Sequence, residues 1–309
     1  MLESRALDQL SARTEAGRPR WYWHPYNRAV LYALAGALGR LPRGGRLGLA
    51  RAVGRMAPRW VPAERAAVRR TMEAVTGATG AELDALTTRV FVDFAMCFSD
   101  LVTTNRQAPA RLSRYVDRVS ATDDVMTLKG GLVSVSAHVG NWEMAGRLLA
   151  RQSQRRTHVV ATPDEIPALE RWVRRDGDGM RFVPRAHPGV GVELVAALRR
   201  GDVVALQGDR AIGTRGDVLI PFFGRPAPFP LGPFLLARAA GVPIVPAFCL
   251  LGRDYRYRLQ IAAPIIVTRG EEERAARAWV ALLEDVVREH PTQWFNFFDV
   301  WRPFVAPGL

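Results

Sequence analysis

Leu132-Val-Ser-Val-Ser-Ala-His138-Val-Gly-Asn-Trp-Glu143 is the stretch whose reading decides the fold class. Leu132 to Ser136 is short and mostly apolar, carries β-branched Val133 and Val135, and is bounded by Gly130-Gly131. It therefore reads as a buried strand. Asn141 is a suitable cap for a helix begun by Trp142, Met144, Ala145, Leu148 and Leu149. His138 then stands on the turn leaving the strand, with Glu143 in the first helical turn. In open α/β sheets ligands bind at the carboxyl ends of strands, so a general base and an orienting carboxylate fit here. The other histidines, His24, His158, His187 and His290, have Ala29, Pro163, Val192 and Phe295 at the same offset. The competing reading of His138 is a hydrogen-bonded turn histidine.

Outward from this stretch, strand and helix patterns alternate. Strands are expected at Leu132–Ser136, His158–Ala161, Val203–Gln207, Ile244–Phe248 and Tyr255–Ile261. Helices are expected at Trp142–Arg151, Ile166–Arg175, Val190–Arg200, Leu231–Ala240 and Glu271–Glu289, and earlier at Glu64–Thr76 and Ala81–Val102. That order predicts an α/β fold: a mixed, mainly parallel central sheet flanked by helices.

The chain of 309 residues is 48% hydrophobic, enough for a substantial core and too apolar for disorder. Lys and Arg number 43 against 30 Asp and Glu, a net charge of +13 carried almost wholly by arginine. Such a balance points to an anionic partner: nucleic acid, acidic lipid or an acidic carrier protein. Cys97 and Cys249 lie in apolar sequence without metal-ligand spacing and read as buried thiols.

The N-terminal sequence has no signal-peptide pattern, and its apolar run Ala29–Gly39 falls short of the about 20 residues a bilayer span needs. Arg28 to Arg59 contains seven arginines and no acid, with Leu31, Leu34, Leu38 and Leu41 at helical spacing. Trp21, Tyr22, Trp23 and Tyr26 lie just ahead. An aromatic edge followed by a basic, apolar helix suits a membrane interface, against the alternative of a solvated basic face. Residues 1–60 are therefore expected to form a helical membrane-associating segment and 61–309 the main domain. The expected location is the cytoplasmic face of the cell (inner) membrane, held monotopically or peripherally.

Two further segments carry chemistry. Gly208-Asp209-Arg210 follows the strand Val203–Gln207, which puts it at a strand's carboxyl end beside His138. A Gly-Asp turn is also ordinary loop chemistry. Pro221-Phe-Phe-Gly-Arg-Pro226 reads as an apolar loop with Arg225 opening a helix, either an anion site or a proline-shaped connection. There is no Gly-rich phosphate loop, metal spacing or serine elbow, so no cofactor and no metal are expected. Trp294-Phe-Asn-Phe-Phe-Asp-Val-Trp301 reads as a core-closing segment.

His138-Val-Gly-Asn-Trp-Glu143 resembles the His-x4-Asp/Glu motif of the bacterial lipid A late acyltransferases, commonly His-Phe-Gly-Asn-Trp-Glu. Leu198-Arg-Arg-Gly201 with Asp209 is similar to the family's Leu-Arg-x-Gly strand and downstream Asp. Pro221-Phe-Phe-Gly224, Ala237-Arg238 and Gly241-Val-Pro-Ile-Val-Pro246 resemble its next segment, so the likeness runs over about residues 28 to 303. The chain departs at Val160-Ala161-Thr162, where many members carry Tyr-Arg, and at Trp294 to Trp301, where they often carry Trp-x-His-x-Arg-Phe.

The resemblance implies an O-acyltransferase. His138 would be the general base and Glu143 its orienting partner, with Asn141, Trp142, Asp209, Arg210, Phe223, Gly224 and Arg225 binding or positioning substrate. Asp209 is expected to be structural or positioning. Arg210 or Arg225 is expected to meet an anionic part of a substrate, with Arg174, Arg175 and Arg185 as further candidates. The implied donor is acyl carrier protein or acyl-CoA, with the carrier protein favoured. The implied acceptor is a lipid A-like glycolipid or another membrane lipid, as in phosphatidylinositol mannoside- or lysophospholipid-type acyltransferases. A non-catalytic nucleic-acid-binding protein is the alternative from another class. It accounts for the charge but not for the His-Glu turn.

Overall fold

The computed structural model describes residues 37–104, 113–120, 128–161, 179–185, 187–211 and 216–301. Three helices come first: α1 (Arg43–Trp60), α2 (Pro62–Thr76) and α3 (Gly80–Thr104). Pro62 starts α2, where a missing N–H costs nothing, and Gly77 ends it in the left-handed conformation with φ 69°. α1 lies directly on α3: a Cβ placed on Gly54 would stand 2.6 Å from the Val92 Cα. At its start, Arg43 and Arg46 reach the fully buried Asp100 of α3, each at 2.7 Å.

The sheet follows as β1 (Val116–Ser120), β2 (Leu132–Ser136), α4 (Trp142–Ser153), β3 (Thr157–Ala161), β4 (Met180–Pro184), α5 (Val190–Arg199) and β5 (Val203–Gln207). A hairpin of β6 (Asp217–Phe222) and β7 (Arg225–Pro230) precedes α6 (Gly232–Ala240), β8 (Ile244–Leu251), β9 (Tyr257–Ile261) and α7 (Glu272–Glu289). The strand order is β1-β9-β8-β2-β5-β3-β4. Every neighbouring pair is parallel except β8 with β9, so the sheet is mixed and mostly parallel, as the alternating pattern predicts.

β2 and β8 run through the middle, covered on both faces, which explains the unbroken apolar sequence of β8 and the mostly apolar one of β2. Trp279 of α7 packs on one face, fully buried, and its indole N–H donates to the Val135 carbonyl at 3.2 Å. α3 and α4 supply Phe91, Met96, Met144 and Ala145 to the opposite layer. Cys97 and Cys249 are buried free thiols there.

The Pro221–Pro226 segment corrects its sequence reading. It does not lead Arg225 into a helix; it is the turn of the β6–β7 hairpin. Phe223 and Gly224 both take positive φ, 49° and 71°, the geometry that lets a two-residue turn match strand twist. Pro226, Pro228 and Pro230 fall on alternate residues of β7, so their missing N–H groups share one edge of the strand. The helix expected at 166–175, the stripe at Leu31 and Leu34, and the aromatic cluster at 21–26 lie outside the described residues. Among the described residues no helix is long and apolar enough to cross a membrane.

Candidate active site

β2 and β5 are parallel neighbours in the register Ser136↔Gln207. His138 and Asp209 each lie two residues beyond those partners and meet across the same gap. The Asp209 carboxylate grips His138 twice: Oδ1 is 2.8 Å from Nδ1, and Oδ2 accepts the His138 backbone N–H at 3.1 Å. Asp209 is wholly enclosed, whereas His138 keeps 16% of its side chain exposed. With Nδ1–H donating to the carboxylate, the imidazole lone pair sits on Nε2.

The electrostatics suit a base. Burial, and then the positive Arg210, lower the His138 pKa from its ordinary 6.5, against the opposing pull of Asp209. Burial alone would raise the Asp209 carboxyl, but His138, Arg210 and the Trp294 indole N–H together hold it well below the usual carboxylate range. The pair at neutral pH is thus a neutral imidazole on an ionised carboxylate.

The turn itself is built by tight backbone contacts. Gly140 has φ 57°, and a Cβ there would lie 2.1 Å from the Cys249 carbonyl oxygen, so only glycine fits. Asn141 caps α4, its Oδ1 accepting the Met144 N–H at 3.2 Å, while its own N–H donates to the Cys249 carbonyl at 2.8 Å. Trp142 meets the His138 ring edge-on with centroids 5.0 Å apart.

Glu143, expected on the imidazole, is placed differently. The carboxylate on Nδ1 belongs to Asp209, because strand register sets that partner while helix geometry sets where Glu143 points. Glu143 lines a narrow cavity under α4 with Ser134, Ser136, Trp142, Met180 and Gln207.

Arg210 acts on His138 through its charge. It is also pinned: Nε donates to the Asn296 Oδ1 at 3.0 Å and a terminal N–H to the Phe295 carbonyl at 2.9 Å. Arg225 lies at the start of β7 with its guanidinium 5.7 Å from the Trp301 ring centre. Phe223 and Gly224 are the hairpin turn, where the Phe223 N–H donates to Glu284 at 2.8 Å. Arg185 is exposed just past the carboxyl end of β4, at the sheet end that holds His138. Arg174 and Arg175 lie outside the described residues.

Two residues at the site escape the sequence reading. The Trp294 indole N–H donates to Asp209 Oδ2 at 3.0 Å, and the Asn296 amide reaches the same oxygen at 3.4 Å. The signal is faint: one buried asparagine inside an otherwise aromatic run.

Residues 22–303 match the profile of the family described as bacterial lipid A biosynthesis acyltransferase. Two curated relatives, each named phosphatidylinositol mannoside acyltransferase and from two strains of Mycobacterium tuberculosis, are 30% identical over 200 residues. The alignment spans 62% of this chain and 62% of theirs. Among solved structures, the 1-acyl-sn-glycerophosphate acyltransferase PlsC from Thermotoga maritima covers 82% of this chain and 100% of its own. Its identity is 15% and its TM-score 0.38, too remote a likeness to carry an argument.

Proposed function

The chain belongs to the bacterial lipid A biosynthesis acyltransferase family, and from that membership we propose that it transfers a fatty acyl group from a thioester to a hydroxyl of a membrane glycolipid. The observation that carries this reading is the 2.8 Å contact between His138 Nδ1 and Asp209. It leaves Nε2 as the proton acceptor. Nε2 takes the acceptor hydroxyl's proton as that oxygen attacks the thioester carbonyl. The tetrahedral adduct collapses, the C–S bond breaks, and the imidazolium returns the proton to the departing thiolate. Asp209 steadies the imidazolium in between.

We take acyl carrier protein as the donor's carrier, because a chain of net charge +13 attracts an acidic protein electrostatically. Coenzyme A is the alternative. For the acceptor, the relatives' name favours phosphatidylinositol mannoside, and the family's description favours a lipid A precursor. Both acceptors supplied with matched long-chain carrier-protein and CoA thioesters test all four combinations. Wild-type protein without turnover in any of them would refute the proposal. His138→Ala should lower the productive rate by about 10²–10⁴-fold, the range of general-base assistance.

We also propose that the protein works at the cytoplasmic face of the membrane, held there by residues 1–60. α1 supports this: Leu49, Val53, Met56 and Trp60 are exposed at successive helical turns, with Arg55 and Arg59 exposed beside them and no acid in the helix. An apolar stripe with a cationic flank suits an anionic lipid surface. Full-length protein that ignores anionic vesicles at low salt would argue against this placement.

A further inference from the structure

Sequence alone makes Trp294 to Trp301 a hydrophobic closure of the core, and the acyl-transfer reading uses none of its residues. Its backbone is nonetheless laced to the catalytic turn. The Phe295 N–H donates to the His138 carbonyl at 2.8 Å, and the Gly140 N–H donates to the Gln293 carbonyl at 2.9 Å. Val139 and Trp294 form an antiparallel bridge. Gln293 fastens this segment to the centre of the sheet, its side-chain amide exchanging two 2.8 Å hydrogen bonds with the Leu251 backbone.

From that anchorage two side chains converge on one oxygen. Asp209 Oδ2 accepts from the His138 backbone N–H at 3.1 Å, from Trp294 Nε1–H at 3.0 Å and from Asn296 Nδ2 at 3.4 Å. Arg210 decides which way the Asn296 amide faces: by donating to its Oδ1 it leaves Nδ2 for Asp209.

We propose that Trp294 and Asn296 are positioning residues that lock Asp209 Oδ2, so that Oδ1 alone is offered to the imidazole; this rests on the acyl-transfer reading for its effect on rate, but not for its effect on His138 itself. The physical ground is torsional. The last torsion of an aspartate is broad and nearly two-fold, so an untethered carboxylate swings and exchanges its oxygens. Asp209 is fully buried, so these protein donors take the place that water would otherwise fill.

The donors also set the charge that the imidazole feels. Asp209 and Arg210 act on it from the turn after β5, and Glu143 lies in the first turn of α4. Trp294 and Asn296 are neutral, so they act on it through Asp209. Each bond to Oδ2 draws charge from the carboxylate. Losing one leaves more charge to hold a proton on His138, raising its basicity while loosening its aim.

The test uses the full-length protein with Trp294→Phe, and in parallel Trp294 replaced by β-(3-benzothienyl)alanine, which keeps the two fused rings and removes only the N–H. Two readouts are taken: steady-state turnover of palmitoyl-CoA with phosphatidylinositol mannoside, and the ¹⁵N-NMR titration of the His138 ring. Both variants should lower kcat about tenfold, the worth of one hydrogen bond, with KM unchanged. Both should move the acid limb of kcat/KM and the His138 titration to higher pH. An unmoved titration overturns the proposal, whether or not kcat falls, since a purely structural role would cost rate only through lost folded protein. Absence of wild-type turnover with both acceptors and with both the carrier-protein and the CoA thioesters would refute the acyl-transfer reading alone, because the titration still decides the positioning role.

Discussion

His138 and Asp209 are 71 residues apart, the same offset that pairs every registered residue of β2 with its neighbour on β5. The His138–Asp209 pair is therefore an extension of the parallel ladder beyond the strand ends. Two backbones already fixed by hydrogen bonds aim the side chains, and neither has to be ordered separately when substrate binds.

Asp209→Asn should keep the packing and lower turnover by about 10²–10⁴-fold, because an amide neither stabilises the imidazolium nor holds the same tautomer. Single-turnover rates against circular dichroism check it. An active Asp209→Asn enzyme would return the orienting role to Glu143.

The pH dependence follows from the lowered His138 pKa. The free enzyme's acid limb in kcat/KM should fall below the ordinary imidazole value of 6.5, because the proton that inactivates the base binds less readily in the fold. The sign for stability is set by Asp209. Its folded carboxyl is more acidic than the unfolded one, so its contribution is present above the ordinary carboxylate range and is lost as pH falls from that range through the lower folded value. Denaturant midpoints for wild type and Asp209→Asn should converge as the medium is acidified below about pH 4.

Gly140→Ala should fail to fold stably. Its added Cβ would fall 2.1 Å from the Cys249 carbonyl oxygen, and the backbone there sits at φ 57°. Neither the β8 backbone nor the turn can yield without breaking the Asn141 N–H bond to that same carbonyl. Soluble yield and the thermal midpoint measure this, and a variant with wild-type Tm would contradict the contact.

Asp100 is buried between Arg43, Arg46 and the Tyr257 hydroxyl. Asp100→Ala strands the Arg46 guanidinium, only 4% exposed, and should cost about 3–5 kcal/mol, the usual result of halving a buried ion pair. Urea unfolding reads the loss. The accompanying loosening of α1 should appear as faster proteolysis near its first turn.

Met56→Asp should weaken binding to anionic vesicles severalfold with the fold unchanged, since Met56 is 48% exposed and joins Val53 and Trp60 on the outer stripe of α1. Vesicle co-sedimentation at low and high salt separates the apolar part from the arginine part. Equal binding by the variant would move the membrane contact off this helix.

Much of the frame is legible in the amino-acid sequence. Leu132–Ser136 and Val203–Gln207 declare themselves by apolar runs ending in polar turns, and both strands start and stop where expected. β1 and β4 do not, because each spends a position on arginine and lies at a sheet edge, with a neighbouring strand on one side only. The hairpin is hidden by its prolines, which look like loop until their alternation along one strand edge is seen.

Local sequence, then, determined the class of fold, the turn that carries His138 and the Asn141 cap, because each depends on a few adjacent residues and their backbone torsions. Only tertiary structure decided which carboxylate the imidazole meets and what holds that carboxylate still. Glu143 is five residues from His138 and looks the natural partner, yet the contact goes to Asp209, with Trp294 reaching Asp209 from 85 residues further on. Register between parallel strands and closure by a C-terminal segment join residues that no local spacing relates. A helix turn, by contrast, fixes its own side chains' directions wherever the nearest base happens to stand.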